Sequence, residues 1–192
     1  MPTYAAVTSA PSDQVLDALK RSKRGGYLYP GPQGTGLLFD PPKPRFGRIS
    51  RSRIMDPAWA LAVDTKTAVW LLEGSDWGVS VTACFPGGGF DELGWAADWT
   101  PPADPAQAAA DRAAWDGFCG KVARKAGLAE PDALAEVRND PGPDGTRIGP
   151  EEILRRICEL VGAPSVVVGQ SLGLQAGPAG RDFVRFEAKG GR

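Results

Sequence analysis

Histidine is absent from the 192 residues, and with it go the Ser-His-Asp and Cys-His arrangements, the imidazole general base and the usual zinc and iron ligand sets. Carboxylate, lysine, tyrosine and backbone chemistry remain. Cysteine is scarce. Cys84, Cys119 and Cys158 are odd in number, far apart and set in apolar patterns, where a free thiol behaves as a small buried hydrophobe. Cys119 and Cys158 fall late in predicted helices, where the dipole disfavours a thiolate. Three structural thiols in a reducing cytoplasm are expected, with no disulfide, no metal and no other cofactor. Nowhere do about 18 consecutive apolar residues occur, and "MPTYAAVTSAPSDQ" lacks the basic start and apolar run of an export signal. The expectation is a soluble protein of bacterial type with no membrane partner.

A further scarcity is local. From Thr67 to Asp111 there is no lysine or arginine, while Glu73, Asp76, Asp91, Glu92, Asp98, Asp104 and Asp111 give -7. From Lys20 to Met55 nine cations face Asp40 alone, a net of +8. The overall net charge of -1 therefore hides two poles.

What is present is a chain that is 42% hydrophobic, enough to bury a real core. Its 18 prolines and 25 glycines punctuate apolar runs, which predicts many short elements. Tyr4 to Ala10 reads as a strand, and a helix follows to about Arg24, with Ser12 as N-cap and Gly25-Gly26 as stop. Tyr27–Tyr29 and Leu37–Phe39 flank a Pro/Gly turn, a hairpin with a loop longer than the tight two-residue kind. Asp40 to Asp56 reads as a long surface loop. "WALAV", "TAVWLLE" and "GVSVTACF" read as a three-strand meander, to which "FDELGWAADW" adds an edge strand.

"TPPADPAQ" then shifts the composition. Asp104 as N-cap, Pro105 at the first helical position and Gln107 as capping-box partner open a helix. Trp115, Phe118, Cys119, Val122 and Ala126 form its apolar stripe and Gly127 ends it. Pro131 opens a short helix and Pro150 a third, the latter with Ile153, Leu154, Ile157, Cys158 and Val161 on one side. Val166–Val168 and Phe183–Glu187 are returning strands. The pattern predicts one α+β domain over residues 1–192, an antiparallel or mixed sheet with a packed helical segment, any division falling at about 100–104.

The basic run Lys43, Arg45, Arg48, Arg51 and Arg53 suits contact with phosphates, with Tyr27, Tyr29 or Phe46 to stack on bases. The plainer reading, which takes precedence, is a solvated loop and helix end whose cations partly answer the chain's own acidic segment. "GPQGTG" lacks the Gly-Lys-Ser/Thr ending of a phosphate loop and reads as a turn. In the acidic pole, Trp59 and Trp70 sit inside apolar runs and read as core. Trp77, Trp95 and Trp99 adjoin Asp76 and Asp98 in turn-rich sequence.

Aromatics beside carboxylates suit an interface for a basic protein surface; alternatively, these rings cover the open end of the meander. Trp77 and Trp95 are expected to be partly exposed. The leading function is thus a non-enzymatic protein-binding module, such as an inhibitor or immunity protein, using Glu73, Asp76, Trp77, Trp95, Asp98 and Trp99. The alternative is nucleic-acid or anionic-ligand binding through residues 43–53. A histidine-free carboxylate enzyme is third, since the spacing of the acids matches no metal loop or sugar-cleaving pair.

Overall fold

The computed structural model describes residues 3–22, 24–41, 52–141, 145–172, 177–178, 180 and 182–188, with the backbone alone for 52–56. The strands are β1 (Thr3–Thr8), β2 (Gly26–Gly31), β3 (Gly34–Phe39), β4 (Val69–Ser75), β5 (Gly78–Cys84), β6 (Phe90–Ala96) and β7 (Val184–Phe186). They form one sheet in the order β6-β5-β4-β1-β3-β2-β7, every neighbouring pair antiparallel. This is the predicted α+β architecture with an antiparallel sheet.

β1 lies at the centre, which is why its run Ala5-Ala6-Val7 is apolar on both faces. Ala5 and Val7 join one core with Trp70, Leu72, Val81 and Leu93, while Ala6 joins the other with Leu37, Val69 and Leu71. β6 is an edge strand and alternates accordingly, burying Leu93 and Trp95 between exposed Glu92, Gly94 and Ala96.

The helices are α1 (Ser12–Leu19), α2 (Ser52–Thr65), α3 (Pro105–Ala126) and α4 (Pro150–Leu160), with 3-10 turns at Pro131–Glu136 and Ser165–Val167. α1 and α2 supply the core on one face of the sheet; α3, α4 and both 3-10 turns supply it on the other. α4 buries Ile153, Leu154, Ile157 and Cys158, and its outer side pairs Glu151 with Arg155 and Glu152 with Arg156 at 3.2 and 3.0 Å. α3 begins as predicted: Asp104 accepts from the Ala106 amide at 3.0 Å, Pro105 follows, and Gly127 closes the helix at φ 73°. Gln107 does not complete a capping box, because its side-chain amide donates to Asp111 instead, at 2.6 Å.

Several expectations are corrected. "WALAV" is not a strand but part of α2, so the meander is β4-β5-β6. Ala58, Leu61, Ala62 and Thr65 are buried at helical spacing, and Trp59, on the other side, is 48% exposed instead of core. The surface loop expected over 40–56 gives way to α2 at Ser52, and residues 42–51 lie outside the described ones. α1 stops at Leu19, well before Arg24, and its N-cap is Pro11, with no side-chain cap from Ser12.

The β2–β3 hairpin turns on two residues, Pro32 and Gln33, between the paired Gly31 and Gly34. Val166–Val168 gives a 3-10 turn in place of a strand. No described helix is long and apolar enough to cross a membrane.

Candidate functional site

Antiparallel pairing brings the start of β1, the end of β4, the start of β5 and the end of β6 to one end of the sheet. α3 crosses that end, and its two halves differ. Cys119, Gly120, Val122 and Ala123 in the second half are buried. The first half, "PAQAAADRAA", has no large apolar side chain to fill the space beneath it. A cleft of about 1030 Å³ results, walled by Ala108, Ala109, Asp111, Arg112 and Trp115 of α3. The sheet contributes Thr3, Tyr4, Glu73, Val79 and Trp95, and the segments after β6 and before α4 contribute Trp99 and Asn139.

Four of the six tryptophans therefore meet at one opening, in three different settings. Trp77 occupies the two-residue turn between Ser75 and Gly78 and is 88% exposed. Gly78 permits that turn: it adopts φ 139°, and a Cβ on it would lie 2.2 Å from the Trp95 carbonyl oxygen. Trp95 is buried, contrary to expectation. Its Nε1–H donates to the Val137 carbonyl at 2.8 Å and its ring meets Trp115 edge-on, centroids 5.5 Å apart at 81°. Trp99 is partly exposed, and Arg147 holds its position by donating to the carbonyls of both Trp99 and Asn139.

Of the six residues expected to form an acidic-aromatic face, Glu73, Trp77, Trp95 and Trp99 line the cleft. Asp76 and Asp98 are exposed neighbours of Trp77 and Trp99 in the chain but do not line it. Glu73 stands opposite Tyr4 in the β1–β4 register. Burial, and then the Glu73 charge, push the Tyr4 phenol up to about 12, so it stays a neutral donor at ordinary pH.

The cations on the wall are engaged. Arg112 pairs with Asp140 at 2.5 Å, and Arg138 with Asp116 at 3.1 Å. Tyr4, Arg112, Trp115 and Asn139 were not foreseen from sequence. Only the alanine-rich start of α3 hinted at a gap.

The alternative site is less described. Lys43, Arg45, Arg48, Arg51 and Phe46 lie outside the described residues, as does the side chain of Arg53. Tyr27 is covered by the Arg185 guanidinium, 5.0 Å from its ring centre, and Tyr29 packs against Phe183 with centroids 5.4 Å apart. Arg185 is itself held by a two-pronged bond to Asp40 at 2.6 and 2.8 Å. Both rings thus have partners within the fold.

Thiol chemistry is disfavoured. Burial pushes Cys84 up to about 11 and Cys119 and Cys158 up to about 12, and none of them lines the cleft. Among the described residues, no group of three acids or thiols is placed to hold a metal ion.

No family model, curated protein or solved structure matches this chain. The cleft offers the exposed indoles of Trp77 and Trp99, fixed hydrogen-bonding groups at its edges and the carboxylates of Glu73 and Asp111 on its walls, a set suited to recognition.

Proposed function

We propose that the protein is a non-enzymatic binding module whose cleft receives part of a protein partner with a basic surface. An inhibitor or immunity protein that occludes a basic active site is the concrete form of this reading. The observation that carries it is Trp77, an indole 88% exposed at the lip of an aromatic cleft. Trp77 also stands within the segment Thr67–Asp111, which carries seven carboxylates and no cation. Exposed tryptophan is rare on a surface with no partner and is the residue most enriched at binding hot spots. Glu73 and Asp111 on the walls, with exposed Asp76 beside Trp77 in the turn, would steer a cationic partner toward it. Three buried free cysteines support a cytoplasmic setting.

The test compares Trp77→Ala with Trp59→Ala, an exposed indole on a different element. A partner retained by the wild type and by Trp59→Ala, but weakened by roughly 2 kcal/mol or more in Trp77→Ala, is expected. Equal retention of the partner by all three proteins removes the cleft from the interface.

A further inference from the structure

We propose that the group received at the β6 end of the cleft is an arginine side chain. The inference rests on the cleft being the binding face and goes further by naming the chemistry it accepts.

The first observation is an acceptor with no donor. Asn139 is 7% exposed and lines the cleft. Its Nδ2 donates to the Ala96 carbonyl at 2.8 Å, which fixes the amide and leaves Oδ1 buried without a hydrogen bond among the described residues. The oxygen has almost no exposed surface as the side chain stands, so an N–H brought in along the cleft satisfies it only when the amide shifts toward that space.

The second is aromatic surface at the same place. Trp99 is tied to Ala96 by its amide at 3.3 Å, Trp95 is the residue before Ala96, and Trp115 packs on Trp95. A planar guanidinium stacks on indole faces and donates in its own plane at once, which an ammonium does not. Among the described residues, the cations that sit over rings use Phe85 and Tyr27, so these indoles carry none.

The third is charge. Glu73 and Asp111 lie on the wall and the wall's two arginines are neutralised by Asp140 and Asp116, while Arg147, bonded to the Trp99 and Asn139 carbonyls, adds one cation at the same end. A neutral amide would satisfy Asn139 but gain nothing from the Glu73 and Asp111 carboxylates. A lysine would gain from the charge but offer no plane to the indoles. Arginine meets all three conditions.

The probes are the capped peptide acetyl-Gly-Leu-Arg-Leu-Gly-amide and its citrulline and lysine counterparts, titrated into the full chain. Calorimetry and the indole N–H resonances report binding. The arginine peptide is expected to bind about tenfold more tightly than either counterpart and to shift the Trp99 resonance. Asn139→Leu, which removes the acceptor, should erase the preference. Because Asn139 also braces Ala96, Trp99→Ala, at a ring 42% exposed, serves as a second variant whose fold is checked by its urea midpoint, and it should weaken the arginine peptide alone.

Citrulline binding as well as arginine, lysine binding as well as arginine, no binding by any of the three, or an unchanged preference in Trp99→Ala would each overturn the assignment. Binding of all three peptides alike, lost in Trp77→Ala, would overturn arginine recognition while leaving the cleft as a binding face. A protein partner indifferent to Trp77→Ala would remove the face itself.

Discussion

Truncating Trp95 to alanine separates structural from exposed indoles in a way the fold makes quantitative. The side chain is 5% exposed, packs edge-on against Trp115 and donates to the Val137 carbonyl. Large-to-alanine changes at buried aromatic positions cost about 3–5 kcal/mol, and an orphaned buried carbonyl adds roughly 1–3 kcal/mol. Trp95 also borders the cleft, so water can enter the vacated space and rehydrate the Val137 oxygen, which pulls the total to about 3–4 kcal/mol.

With a urea slope of about 2 kcal/mol/M, the unfolding midpoint should fall by roughly 1.5–2 M. Trp95→Phe keeps a ring against Trp115 but loses the donor, and should cost about 1–2 kcal/mol. Trp77→Ala should stay within about 0.5 kcal/mol of wild type. A double-mutant cycle pairing Trp95 with Trp115 should show coupling of roughly 0.5–1.5 kcal/mol. The reasoning fails if Trp95→Ala unfolds at the wild-type urea concentration, or if Trp77→Ala proves the more damaging of the two.

Gly78→Ala should destabilise by more than about 1 kcal/mol, since φ is 139° and the new methyl would meet the Trp95 carbonyl. Gly87→Ala, in a different turn with nothing within 4 Å of the added carbon, should be near neutral in the same denaturation assay. The three thiols should resist a disulfide reagent in the native protein and all react after denaturation. Because the native pKa values are raised to about 11 and 12, the unfolded chain gives up thiol protons first as pH rises past about 9. Stability is therefore full below that point and falls between about pH 9 and 12, by up to roughly 1.4 kcal/mol per pH unit for each thiol. A urea midpoint unchanged from pH 8 to pH 11 would contradict their burial.

The elements that were legible in the sequence are those set by local chemistry. Asp104-Pro105 and Gly127 bracket α3 because capping depends on residues within one turn. β4 and β5 declare themselves through β-branched and aromatic runs. "WALAV" misleads because five apolar residues have no resolvable period; only the wider window from Ala58 to Thr65 reveals burial every third or fourth residue. The site was half legible for a similar reason. Trp77 and Trp99 stand in turn-rich sequence and emerge exposed, but Trp95 occupies an inward position of β6, decided by strand register. Asp76 and Asp98 share only adjacency in the chain with Trp77 and Trp99, and adjacency does not place side chains on one wall. Asn139 reaches Ala96 across 43 residues, and no local pattern announces such a contact.

The central strand is completed from far along the chain. The Tyr4 amide donates to the Gln170 carbonyl at 2.8 Å, and the Gly169 amide donates to the Thr3 hydroxyl at 2.7 Å. β2 likewise gains β7 only when Gly26 meets Phe186. During synthesis, β1 thus waits for residues made more than 160 positions later, and one edge of β2 stays unpaired until β7 is made. Contacts of such long sequence separation slow folding, and an open strand edge invites pairing between nascent chains. Yield on expression should accordingly depend on how quickly Gly169, Gln170 and β7 arrive: a stop before Gly169 should send the chain into aggregates even though most of the core residues have been made.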